Sequence, residues 1–153
     1  MSRPPQETEL SGCTWVHDDG AVDWTELSEL YRLAPLGEKP PDSLTTVFGN
    51  SRFKCFIYAD GALVGAGRVL ADGYDCAYIA DIAVHPDHQG RGLGQAIVER
   101  LVELAHEHKK IILYAKPGTE GFYAKLGFLP MNTAMGLWQD RADAVASGVL
   151  GQP

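Results

Sequence analysis

The run Cys76–Val84 is apolar and β-prone, and it delivers the chain to His85-Pro86-Asp87-His88-Gln89-Gly90-Arg91-Gly92-Leu93-Gly94, after which apolar residues recur at helical spacing. A strand that ends in a glycine-rich turn and opens directly into an amphipathic helix commits the chain to an α/β arrangement, because the helix must bury its apolar stripe on a sheet. Gly90, Gly92 and Gly94 alternate with Arg91 and Leu93. Successive backbone N–H groups are therefore free to face one concavity with no Cβ atom blocking a ligand. The helix adds its unpaired first-turn N–H groups and the positive end of its dipole, and Arg91 adds a mobile counter-charge at the rim. Such a turn is a cradle for a diphosphate; the competing reading is a turn that only joins strand to helix.

Two familiar phosphate motifs do not fit. The dinucleotide fingerprint G-x-G-x-x-G would need glycine where Gln95 stands, and the P-loop needs Gly-Lys-Ser/Thr, whereas no lysine lies between Lys54 and Lys109. Gln89-Gly90-Arg91-Gly92-Leu93-Gly94, led by Val84-His85-Pro86, instead resembles the Q/R-x-x-G-x-G/A signature of the GNAT superfamily of N-acetyltransferases. Further along, Phe122-Tyr123-Ala124-Lys125-Leu126-Gly127-Phe128 resembles that family's F-Y-x-K-x-G-F box. The resemblance covers about residues 53–139.

The resemblance implies a single α/β (α+β) domain whose mixed, mostly antiparallel sheet is flanked by helices, with two strands splayed to admit coenzyme A. It implies acetyl-coenzyme A as cosubstrate and no metal. Its pyrophosphate would lie on Gln89, Gly90, Arg91, Gly92, Leu93, Gly94 and Gln95, and its pantetheine arm along Ile82, Ala83 and Val84. Tyr123 takes the family's position near the sulfur, where a general acid is useful because aminolysis of a thioester expels a thiolate; the alternative is an aromatic packed beneath a short helix. Many relatives carry asparagine where this chain has Lys116, which removes one expected contact. Asp81, in Asp-Ile-Ala-Val, matches an aspartate of glucosamine-phosphate and plant-type serotonin acetyltransferases. The former carry Glu-Asp where this chain has Ala80-Asp81.

Strand alternation places Asp81 on the face of Ile79 and Ala83. An acceptor amine must lose a proton before it attacks, and Asp81 takes it through water, orients the amine, or only caps local N–H groups; Tyr78 is an alternative holder of the water. His85 and His88 sit in a solvated turn with no evident partner and read as non-catalytic. Tyr31, Leu36, Phe56 and Tyr78 are candidates to line an acceptor pocket. No cluster of Arg or Lys suited to a sugar phosphate is evident in the linear sequence. A small primary amine is therefore the first choice of acceptor. Protein lysine or N-terminal acetylation, and a non-catalytic acetyl-coenzyme A sensor, are the alternatives.

The remaining expectations follow from size and pattern. The chain has 153 residues, suited to one domain of roughly 100–150 residues: a loose segment 1–12, a domain 13–140 and a weakly held tail 141–153. A net charge of −7 disfavours nucleic acid and anionic membranes and favours cationic substrates. There is no apolar run long enough for a membrane span and no secretory signal near Met1, so a cytoplasmic location is expected. A homodimer is left open. Cys13, Cys55 and Cys76 are odd in number and widely spaced, as expected of unpaired, mostly buried thiols. Asp23 predicts a capped helix ending by Pro35, and a second helix follows around Ser43–Asn50. Strands are predicted at Cys13–His17, Phe53–Tyr58, Leu63–Leu70, Cys76–Val84 and Ile111–Ala115, with a last strand at Ala134–Gln139.

Overall fold

The structure, a computed structural model, describes residues 12–153, so the loose segment expected before Gly12 lies outside the described residues. The chain divides after Leu113 into two compact units, each described by itself.

The first unit holds one five-stranded sheet in the order β1-β2-β3-β4-β5. β1 (Cys13–Val16), β2 (Phe53–Ala59), β3 (Ala62–Ala71) and β4 (Cys76–Val84) form an antiparallel meander, and β5 (Lys110–Ile112) lies parallel to β4. The predicted Asp-Gly hairpin joins β2 to β3, with Asp60 and Gly61 both at positive φ as a tight turn requires. α1 (Trp24–Leu33) starts at Asp23, whose carboxylate accepts from the N–H groups of Thr25 (3.0 Å) and Glu26 (3.2 Å). α2 (Pro41–Gly49) begins two residues before its predicted start, with proline in its first turn, where no N–H is missed.

Leu27, Leu30 and Tyr31 of α1, Leu44 and Phe48 of α2, and Phe56, Ala66 and Ala83 of the sheet make one buried cluster. The other sheet face takes α3 (Leu93–Leu104). Here Gly65 and Gly67 matter: a Cβ on Gly67 would stand 2.8 Å from Ile82 Cδ1 and 2.9 Å from Leu101 Cδ1, so the helix seats closely only because β3 has no side chains there.

The second unit carries α4 (Glu120–Ala124) and α5 (Arg141–Ala146). Three expectations are corrected. Residues 141–153 are not a loose tail throughout: Asp140 caps α5 through the Asp143 N–H (3.0 Å), Ala144 is buried, and the Val149 and Leu150 N–H groups return to the Ala144 carbonyl. Residues 134–139 are not a strand, because no neighbouring strand pairs with them. Of Ile111–Ala115 only Ile111 and Ile112 join β5, for the same reason: pairing with β4 ends at Ile112. Among the described residues no helix is long and apolar enough to cross a membrane.

Candidate active site

β4 is kept in register with β3 up to Ala80, where the pairing slips. Arg68 faces Ala80 and Ala66 faces Ala83, so Asp81 and Ile82 together oppose the single Gly67. This is a β-bulge, and Asp81 supplies its left-handed residue at φ 57°, a conformation that Asp tolerates better than most side chains. The bulge corrects the simple alternation. Asp81 shares the α1/α2 side with Ala83, but Ile82 turns to α3, and Ile79, paired with Val69, falls on the α3 side with Gly67.

Lys39 and Arg68, far apart in sequence, converge on Asp81. Arg68 Nε donates to Oδ2 at 2.7 Å, and Lys39 Nζ lies 3.5 Å from Oδ1. Arg68 Nη1 also reaches Ser51 Oγ at 3.4 Å. The Tyr31 hydroxyl donates to the Asp81 carbonyl at 2.7 Å, which pins the bulge from α1. Burial raises the Tyr31 phenol well above its ordinary range, so it stays a donor. Both oxygens of Asp81 are thus engaged by cations, a network that sequence reading missed because its members are joined only by the fold.

β4 and β5 pair only at Cys76–Lys110, Ala77–Ile111 and Tyr78–Ile112. β4 continues to Val84 against β3, so among the described residues no strand pairs with its β5-facing side from Ile79 to Val84. This is the expected splay, and Ile82, Ala83 and Val84 lie along it. Tyr78 stands at the last paired position. Gln89 holds the following loop to the strand, its Nε2 donating to the Val84 carbonyl at 3.2 Å.

Gly90 (φ 79°) and Gly92 (φ 80°) are both left-handed, and a Cβ on either would meet nothing within 4 Å. They are required by backbone conformation beside open space, not by packing. Gly92 caps α3 with no side-chain hydrogen bond, and the first turn of α3 holds no acidic residue. Among the described residues no protein acceptor takes the backbone N–H groups of residues 90–95. α1 and α5 each receive a capping carboxylate, so α3 alone of these three presents bare N–H groups and an uncompensated dipole end to solvent. Arg91, exposed, stands within this arc, while Leu93 is buried and anchors it.

A groove of about 350 Å³ has Leu30, Leu33, Leu63 and Val64 as apolar lining and Glu26, Glu29, Asp87, His85 and His88 as polar lining. Glu29 is paired with Arg32. His85 Nδ1 accepts from the Asp87 N–H at 3.1 Å, a structural role that fits its non-catalytic reading.

The expected aromatic pocket is corrected in two members. Tyr31 and Phe56 are 0 % exposed and belong to the core; Leu36 packs against the same cluster, partly buried. Cys55 is equally buried, and its thiol is pushed up to about 12, chiefly by desolvation. It is no nucleophile at neutral pH.

In the second unit, Tyr123 sits on α4 with its ring edge-on to Phe122 (centroids 5.0 Å apart) and Phe128 (6.0 Å). Burial raises its phenol above the ordinary value of 10.0. Unlike Tyr31, its hydroxyl has no hydrogen-bond partner among the described residues. Gly127 (φ 95°) closes the turn after α4 as predicted.

The sequence matches the acetyltransferase (GNAT) family over residues 22–128. It is 39% identical over 88 residues to glucosamine 6-phosphate N-acetyltransferase 1 of Oryza sativa subsp. japonica, covering 52% of this chain and 53% of that protein. It is 44% identical over 70 residues to serotonin N-acetyltransferase 2, chloroplastic, of the same organism, covering 44% of this chain and 35% of that one. The chain thus spans about half or less of the length of these relatives. Among solved structures, a probable acetyltransferase of unknown function from methicillin-resistant Staphylococcus aureus superposes with a TM-score of 0.73 at 25% identity, covering 82% of this chain and 97% of that one.

Proposed function

The chain belongs to the acetyltransferase (GNAT) family, and from that premise we propose that it moves an acetyl group from acetyl-coenzyme A to a small primary amine by direct attack in a ternary complex. The observation that carries the proposal is the bare arc of N–H groups at residues 90–95, left without protein acceptors on an uncapped helix. Those donors and Arg91 suit the pyrophosphate of the cosubstrate. The open side of β4 from Ile82 to Val84 suits the amides of its pantetheine arm.

Transfer needs three things of this chain. The neutral amine nitrogen bonds to the thioester carbonyl carbon, the C–S bond breaks, and the departing thiolate needs a proton. Tyr123 supplies that proton from a hydroxyl with no competing partner and recovers it from solvent. The amine's own proton leaves to water. Asp81, with both oxygens held by Arg68 and Lys39, orients groups at the bulge and does not take the proton directly. The acidic rim of the groove and the net charge of −7 favour collection of a cationic amine.

The test is thiol release from acetyl-coenzyme A across arylalkylamines, polyamines, amino sugars, amino acids and lysine peptides. Release that depends on a small amine, and falls about 10²-fold in Tyr123→Phe with cofactor binding retained, is the expected result. Release only with lysine peptides refutes the acceptor class. Binding of acetyl-coenzyme A with no release from any amine points to a sensor, and unchanged turnover in Tyr123→Phe removes that residue's role.

A further inference from the structure

The linear sequence shows no cluster of Arg or Lys suited to an anion, yet the fold makes one. Lys39 reaches Asp81 from the loop between α1 and α2, and Arg68 reaches it from β3. The two cations are not equally committed. Arg68 Nε lies 2.7 Å from Oδ2, the length of a charge-assisted hydrogen bond, and Nη1 turns to Ser51 Oγ. Lys39 Nζ stops 3.5 Å from Oδ1, beyond that length, and none of the described hydrogen bonds has it as donor. An ammonium has three N–H groups to give, and all three are uncommitted here.

The rest of Lys39 is fixed in place. Its carbonyl accepts from Ser28 Oγ of α1 at 2.6 Å, Pro40 and Pro41 follow it and stiffen the loop, and its Nζ stands 5.5 Å from the centre of the Tyr31 ring. The side chain is only 27% exposed. The charges at the bulge do not cancel: in a chain of net charge −7, two cations here share one carboxylate. Glu38, the acidic neighbour of Lys39 in the chain, acts on Arg32 instead.

Position says which molecule brings the missing negative charge. Asp81 directly precedes Ile82–Val84, the stretch that suits the pantetheine arm in the function proposed above. The arc that suits the pyrophosphate begins only at Gly90, beyond the end of β4. An anion at Lys39 therefore belongs to a second molecule, the acceptor. We propose that Lys39 selects the acceptor: its ammonium binds an oxyanion, carboxylate or phosphate, carried by the amine that is acetylated. Asp81 stays on Arg68, so Lys39 turns its free N–H groups to the oxyanion without leaving a bare carboxylate behind. This rests on the acetyltransferase reading and narrows its small primary amine to one that also bears negative charge.

The experiment compares matched amines that differ in the anion: O-phosphoethanolamine with ethanolamine, glucosamine 6-phosphate with glucosamine, and β-alanine with β-alaninamide. Each is measured with the wild type and with Lys39→Met, which keeps an unbranched stem beside Tyr31 and removes the charge. In the wild type the anionic member of the phosphate or of the carboxylate pairs is expected to have a kcat/KM about tenfold higher or more, chiefly through KM. Which pairs respond names the oxyanion. Lys39→Met is expected to bring that ratio near one, whatever it does to the absolute rate. A ratio near one in the wild type, a preference that survives Lys39→Met, or an effect of the variant on the KM of acetyl-coenzyme A alone overturns the proposal. Calorimetric titration of the three anionic amines in the presence of coenzyme A, which has no acetyl group to give, reads binding apart from turnover. Binding that weakens about tenfold in Lys39→Met supports the selector even where no amine releases thiol, the result that defeats the enzymatic reading. No binding of any of the three to the wild type overturns the selector.

Discussion

Asp81→Asn isolates one contribution at the bulge. Asn tolerates the left-handed backbone at φ 57° as Asp does, the main-chain carbonyl still accepts from Tyr31, and the side-chain oxygen remains able to accept from Arg68. What disappears is the negative charge between two cations. Breaking a fully buried ion pair costs about 3–5 kcal/mol. Here the Arg68 and Asp81 side chains keep 12% and 20% of their exposure, and a neutral hydrogen bond survives, which reduces the expected loss to about 1–2 kcal/mol. For a chain of this length that is a fall in melting temperature of roughly 3–6 °C. A double-mutant cycle with Arg68→Gln, followed by urea unfolding, measures the coupling directly, with about 1 kcal/mol expected. Turnover distinguishes the roles: an orienting clamp makes Arg68→Gln lose activity alongside Asp81→Asn, whereas a general base makes only the Asp81 variant fail. Coupling below about 0.5 kcal/mol, together with full activity in Arg68→Gln, would falsify the clamp.

Gly67→Ala places a methyl group 2.8–3.0 Å from Ile82, Leu101 and Ile97 and is expected to cost about 1–3 kcal/mol by overpacking, read as a lower urea midpoint; an unchanged midpoint refutes the close seating of α3. Thiol titration of the native protein is expected to spare Cys55, which is fully buried with its pKa pushed up to about 12, and to reach all three cysteines only after unfolding. Because burial raises the pKa of Tyr123 above 10.0, its hydroxyl stays protonated as pH rises through the neutral and mildly alkaline range, so the loss of general acid on the alkaline side is expected only above that value. A basic limb near pH 8 that vanishes in Tyr123→Phe contradicts this assignment.

Local signals proved enough for most elements. Asp23 capped α1 where its spacing said, Asp60-Gly61 made the hairpin, and β4 ran over its predicted residues, because each depends on contacts within a few positions of the chain. The last strand and the length of β5 were misjudged because a strand is stabilised by its neighbour, and propensity at 134–139 cannot supply one. Tyr31 and Phe56 looked like pocket residues because aromatic identity says nothing about which side of a sheet is sealed. α1 and α2 seal it.

By itself the sequence determined the family and marked Gly90–Gly94 and Tyr123 as candidate site residues, because glycine conformation, helix polarity and two short motifs are properties of contiguous residues. Only the tertiary structure decided the electrostatics around Asp81. One extra residue in β4 relative to β3 turned its carboxylate to Arg68 and Lys39, and a register slip of that kind arises from pairing between strands.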